Sequence, residues 1–247
     1  MSLTARRVGT LARTKGWDAR RLFAGIVLAS WASLFWFLMA AERTALFLSS
    51  RTDWVVPVGA VILTIAAVGR LLTARTETPE LLPRKEAIVL AALIVPAVLI
   101  ATLPPASLGS YAAARRSSIV GGGFISAPGD IRTGELTLLT VGGALRDPES
   151  MAALRERAGE KVNFIGFVDR DDTTPASEFT LTRFVVSCCV ADALGVQVRV
   201  VGAPPGRFKD DQWVNVTGSL YPLEDQIVVD ASEITAIERP KQPYLSP

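Results

Sequence analysis

Residues 179–192 read FTLTRFVVSCCVAD, a run of aromatic and β-branched residues that stops at two adjacent cysteines and an aspartate. Apolar and polar positions alternate over 179–182 and aromatic and β-branched residues continue to Val186, which is the pattern of a strand rather than of a helix. Four runs of the same kind surround it, at 162–169, 195–201, 213–221 and 227–237, with polar turns between them. Short strands at this spacing predict a small closed antiparallel sheet. Just upstream, 135–145 reads as a strand ending at Gly142-Gly143. Residues 147–158 read as a helix, with Pro148 and Glu149 at its start, Met151, Leu154 and Ala158 on one face, and Gly159 after its end.

The half of the chain before this domain has a different character. Residues 22–41 are uncharged and, at 1.5 Å rise per residue, long enough to cross about 30 Å of hydrocarbon. That run is too long for a cleavable signal sequence, and more apolar segments follow, so it reads as a retained span. A second span covers 54–72, with Arg70 able to snorkel and Trp54 suited to the opposite interface. A third covers 87–103, with Pro96 inside it. The expected organisation is a basic tail at 1–21, three transmembrane helices within 22–108, and a linker at 109–134. A β-domain at 135–239 and a short tail at 240–247 complete it.

Charge sets the expected orientation. Residues 1–109 carry 12 Lys+Arg against 6 Asp+Glu, whereas residues 110–247 carry 14 against 18. The 1–21 tail holds Arg6, Arg7, Arg13, Lys15, Arg20 and Arg21, and the 70–86 loop holds Arg70, Arg75, Arg84 and Lys85. The 42–53 loop has only Arg43 and Arg51. Basic loops stay in the cytoplasm, so the N-terminus is expected there and the β-domain outside the cell, in a multi-pass protein of the cell membrane. The basic tail, with Leu3, Leu11 and Trp17, also suits contact with anionic membrane lipid.

Several function classes are excluded by composition. There is no histidine, which removes Ser-His-Asp triads, histidine acid–base catalysis and histidine zinc sites. The two cysteines, Cys188 and Cys189, are too few for a disulfide framework or a four-thiolate metal site. Gly121-Gly122-Gly123 lacks the lysine and serine or threonine of a phosphate loop, and reads as a linker. No nucleophile–base pair can be assembled, so no enzyme activity is expected.

The strings VNFIGFVDR (162–170), FTLTRFVVSC (179–188) and WVNVTGSLYP (213–222) resemble strands of the partly open five-stranded barrel of OB-folds; a β-sandwich or another barrel is the alternative. Gly166 and Gly218 would permit the coiling such a barrel needs. More narrowly, RFVVSCCVADA, GFVDRDD, WVNVTG, LPPASL after the third span and the terminal PKQPYL resemble the YcgQ-like family of permease subunits. That resemblance implies a membrane protein with an extracytoplasmic β-domain, working beside a separate multi-span permease of the YraQ type.

The candidate site is Cys188, Cys189 and Asp192. On a regular strand adjacent side chains point to opposite faces, so the two thiols could share one metal only where the strand bends. Asp192 could then add an oxygen, with Asp171, Asp172, Asp210 or Asp211 from neighbouring turns; thiolates favour Zn²⁺ or Cu⁺. The other readings are buried structural cysteines and a vicinal disulfide or redox switch. The acidic turns at 169–172 and 210–211 read as solvated loops or a weak divalent-cation site. Phe164, Phe167, Phe179, Phe184 and Trp213 could pass for base-stacking rings. However, residues 161–238 carry 6 Lys+Arg against 12 Asp+Glu, which repels a phosphate backbone, so no nucleic-acid partner is expected.

Overall fold

The structure, a computed structural model, describes residues 16–78, 80–115, 126–224 and 226–247. The basic positions before residue 16 and the glycines at 121–123 lie outside the described residues. The chain divides into two compact units, Met1–Ala41 with Trp54–Pro104, and Glu42–Asp53 with Pro105–Pro247.

The first unit holds three long apolar helices, α1 (Ala19–Ala40), α2 (Val55–Leu72) and α3 (Arg84–Thr102), each long and apolar enough to cross a membrane. The chain is thus a membrane protein with three candidate spans. Asp18 starts α1 by accepting the Arg21 N–H at 3.0 Å, and a two-residue ladder, β1 (Gly16–Trp17) on β2 (Arg75–Thr76), lies beside this cap. Hydrogen bonds between helices replace the water that lipid excludes. Trp31 Nε1 on α1 donates to the Leu93 carbonyl of α3 at 3.0 Å, and Trp36 Nε1 donates to Thr64 Oγ1 of α2 at 3.2 Å. The helices otherwise bury little of themselves: only 6% of the apolar stretch of α3 is buried, and Ile65 and Ile88 stand more than 60% exposed.

The second unit is an OB-like barrel. Its strands are β3 (Lys161–Asp169), β4 (Glu178–Val185), β5 (Leu194–Val201), β6 (Trp213–Pro222) and β7 (Ile227–Ala236). They close in the order β3-β4-β5-β7-β6, with β6 returning to β3. All pairs are antiparallel except β5 with β7, which run parallel from Arg199↔Val228 to Val201↔Asp230. This is the Greek-key connectivity of the OB barrel. Both glycines singled out in the sequence sit where the wall is tightest. A Cβ on Gly166 would lie 2.7 Å from the Thr182 carbonyl oxygen, and one on Gly218 would collide with the Asp230 carbonyl at the register shift between β6 and β7.

Three helices close one side of the core: α5 (Pro128–Thr133), α6 (Leu138–Ala144) and α7 (Pro148–Glu156), after a single turn, α4 (Ser110–Ala113). The strand expected at 135–145 is therefore wrong; this stretch is α6. Thr137 caps it reciprocally with Thr140, and Leu138, Val141 and Ala144 turn one helical face into the core. Asp147 caps α7 by accepting from the Ser150 N–H at 2.8 Å. Phe164, Phe179, Leu181 and Leu220 from the barrel meet Ile131, Val141 and Leu154 from these helices in one apolar cluster. A second cluster joins Phe167, Phe184, Trp213 and Tyr244, with the Phe167 ring 5.9 Å from both Phe184 and Trp213. Phe164, Phe167, Phe179, Phe184 and Trp213 are thus core residues.

Candidate functional site

The strand carrying the cysteines ends earlier than the sequence suggests. β4 stops at Val185, where Leu245 of the C-terminal tail pairs beside it. Val186 N–H donates to the Leu245 carbonyl at 2.9 Å, and Leu245 N–H donates to the Phe184 carbonyl at 2.8 Å. Cys188 and Cys189 therefore lie in a turn, and the opposite-face rule for adjacent strand residues does not hold for them. Their sulfurs are 3.6 Å apart.

Asp192 shapes this turn. Its carboxylate accepts the Ser187 N–H at 3.0 Å and the Cys188 N–H at 2.8 Å. Partial burial opposes its charge, but bonds from the Cys188 thiol and from these backbone N–H groups hold its pKa below the usual carboxylate value. The reciprocal effect falls on Cys188. Its thiol donates to Asp192 and to Cys189, and these bonds push its pKa up to about 11. At neutral pH this thiol stays protonated, which makes it a poor nucleophile and a metal ligand only after proton loss. Among the described residues, no group of three Cys, Asp or Glu side chains is arranged to hold a metal ion. The structure thus brings Cys188, Cys189 and Asp192 together, but with Asp192 engaged in holding the turn. Asp171, Asp210 and Asp211 lie elsewhere: Asp171 accepts from the Thr173 and Thr174 hydroxyls, and Asp211 from the Ser110 N–H at 2.6 Å.

What the turn contacts is the less expected part. Residues 42–53, which join α1 to α2 in sequence, run along it as a strap. Leu48 pairs with Cys189, Ser49 N–H donates to the Cys188 carbonyl at 3.2 Å, and Thr52 Oγ1 donates to the same carbonyl at 2.6 Å. Val190 N–H donates to the Phe47 carbonyl at 2.9 Å. The peptide between the two cysteines is therefore the anchor of the strap.

Tyr244 ties this strap to the chain that follows α3. Its hydroxyl donates to the Leu46 carbonyl at 3.2 Å and accepts the Leu108 N–H at 3.1 Å. Arg239 Nη1 holds the Pro105 carbonyl at 3.1 Å, and Arg183 reaches the Pro243 and Gln242 carbonyls at 3.1 and 2.7 Å. Sequence reasoning marked LPPASL, RFVVSCC and PKQPYL as separate strings; the structure places Pro105–Leu108, Arg183–Cys189 and Gln242–Leu245 in one collar. It missed the strap 42–53 and Tyr244, which no local pattern announces.

A separate cleft of about 320 Å³ lies on the β4–β5 side, lined by Thr173, Thr174, Thr180, Gln197, Arg199 and Gln226 among others. Among the described residues its one cation is engaged: Arg199 Nε donates to Glu178 at 2.6 Å. Hydroxyls and amides supply most of its remaining polar lining, so it suits a neutral polar group better than a charged one.

The fold and collar define a class: a membrane protein with three candidate spans and an OB-like barrel, bound to the chain segments adjoining its helices. Residues 149–247 match the family model described as the DUF1980 C-terminal domain, which takes in most of α7, the whole barrel and the C-terminal tail. The chain is similar to that family over this stretch. No curated protein matches it.

Proposed function

We propose that the chain is a membrane-anchored accessory subunit of a separate multi-span permease, with its OB-like domain outside the cell, where it docks on the permease, gates it or delivers a solute or metal ion. The observation that carries this reading is the bareness of α3, 6% buried along its apolar stretch. A helix bundle that worked alone as a transporter would pack its helices around a polar path. Here residues 22–41, 54–72 and 87–103 contain no carboxylate, Glu86 in the first turn of α3 lying just ahead of the third stretch, and long apolar faces remain for lipid or for another protein's helices. The basic bias of the 1–21 tail and 70–86 loop supports an extracytoplasmic domain, and the resemblance to YcgQ-like permease subunits supports the partner. No catalytic role is assigned.

A photo-crosslinking residue placed at Ile88 or Leu99, both exposed on α3, tests the reading in native membranes. The expected product is one discrete adduct with a multi-span protein. Crosslinking to lipid alone from both positions would sink the proposal.

One observation favours a second reading, a stand-alone membrane-tethered protein that handles thiols or a metal such as Zn²⁺ or Cu⁺. It is the 3.6 Å approach of the Cys188 and Cys189 sulfurs. Stoichiometric metal on the purified chain, lost in a Cys188→Ser, Cys189→Ser variant, would support it over the first.

A further inference from the structure

The end of the helical unit where α1 begins and α2 finishes holds a cavity of about 410 Å³. Three guanidinium groups line it, from Arg20 and Arg21 of α1 and Arg70 in the last turn of α2, together with Thr78 and the carboxylates of Asp18 and Glu80. The carboxylates are not equivalent. Asp18 is buried, caps α1 and lies 3.6 Å from Arg21. Glu80 is exposed and only loosely paired, 3.8 Å from Arg20, which also reaches Glu86 at 3.1 Å. Arg21 donates to the Thr73 carbonyl at 3.0 Å, which fixes its guanidinium at the cavity wall. The Arg70 side chain makes no hydrogen bond or ion pair with any described residue. Asp18 pairs with Arg21, and Glu80 and Glu86 share Arg20, so Arg70 is the lining guanidinium left for a phosphodiester to engage.

The surroundings say which phosphate fits. Trp17, Leu72 and Leu81 flank the cavity-lining residues in sequence and stand 58%, 78% and 91% exposed. Arg75 stacks 4.7 Å over the Trp17 ring, a pairing common at the headgroup level of membranes. A free anion would engage the arginines and leave these apolar side chains in water. A phospholipid satisfies both, its phosphate on the guanidinium groups and its acyl chains against the leucines. We infer that this cavity is a binding site for the phosphate of an anionic phospholipid, held by Arg20, Arg21 and Arg70, with the Thr78 hydroxyl within the site.

The test is native mass spectrometry of the full chain purified in mild detergent and offered phosphatidylglycerol or phosphatidylcholine. Phosphatidylglycerol is expected to stay bound in preference to phosphatidylcholine, and excess inorganic phosphate is expected not to displace it. Arg70→Gln should weaken retention about fivefold, the effect of one basic residue at an anionic surface. The combined Arg20→Gln, Arg21→Gln, Arg70→Gln variant should abolish it, while Arg115→Gln, outside the cavity, should leave it unchanged. Equal retention of the two lipids overturns the inference. So does displacement by inorganic phosphate, or full retention by Arg70→Gln. If the triple variant fails to assemble, the Arg70→Gln result decides alone, because that side chain makes no hydrogen bond or ion pair among the described residues.

Discussion

Tyr244→Phe removes one oxygen and leaves the ring, which isolates the collar's central bond from its packing. The residue is 7% exposed, so the ring remains wedged in the second apolar cluster and no cavity opens. Two bonds go: the buried one to the Leu46 carbonyl and the partly buried one from the Leu108 N–H. A lost bond that strands a buried partner costs about 1–3 kcal/mol, and a partly wet one about 0.5–1.5. Together they come to about 2 kcal/mol, or about thirtyfold in a local opening equilibrium. Hydrogen exchange read residue by residue is the assay, because it reports local opening separately from global unfolding. The amides of Leu108, Ser49 and Val190 should exchange about thirtyfold faster, while those of β5 and β6 keep their rates. Unchanged exchange at these three amides, or an equal loss across the whole barrel, would refute the idea that Tyr244 joins the two segments to the collar.

Three further perturbations follow from named contacts. Asp192→Asn withdraws the carboxylate that keeps the Cys188 thiol protonated, so the midpoint of pH-dependent alkylation should fall by about a unit from its position near pH 11; an unmoved profile would contradict the assigned cause. Asp169 has its pKa raised, by burial first and then by Asp210, Asp211 and Asp171. Its ionisation therefore costs stability as pH rises from the unfolded value through the higher folded one. Asp169→Asn should raise Tm at pH 7, with the gain shrinking to nothing below the carboxylate range, and a pH-independent gain would count against this. Gly166→Ala would drive a methyl to 2.7 Å from the Thr182 carbonyl, between paired strands that cannot separate cheaply. A loss of about 1–3 kcal/mol is expected from denaturant unfolding, and a neutral result would show the barrel wall to be softer than its geometry implies.

The helical half was legible because lipid imposes a simple rule. Some 20 apolar residues are needed to span, and 22–41 can be little else. The barrel was legible because FTLT and VNVTGSL alternate, within runs rich in aromatic and β-branched residues, along two-sided strands whose inner faces fill with Phe179, Leu181, Val214 and Val216. α6 was not. Its leucines, threonines and valine fit either period, and the decision came from the Thr137 cap and from Gly142 lying tight against Val196 on β5. The cysteine turn was half legible. Its residues and its aspartate stood out, but the end of β4 is set by Leu245, and the strap that covers it is remote in sequence, Thr52 and Cys188 being 136 positions apart. Pairings at that distance leave no local signature.

The central claim is that this chain works as the subunit of a separate permease. The most direct measurement is a mild-detergent purification of the tagged full chain from its native membrane, with every co-purifying protein quantified by mass spectrometry. The expected result is one multi-span protein at near-equal amount, retained through gel filtration. A chain that elutes alone, with no integral membrane protein above trace level, would contradict the claim and turn attention to Cys188, Cys189 and Asp192.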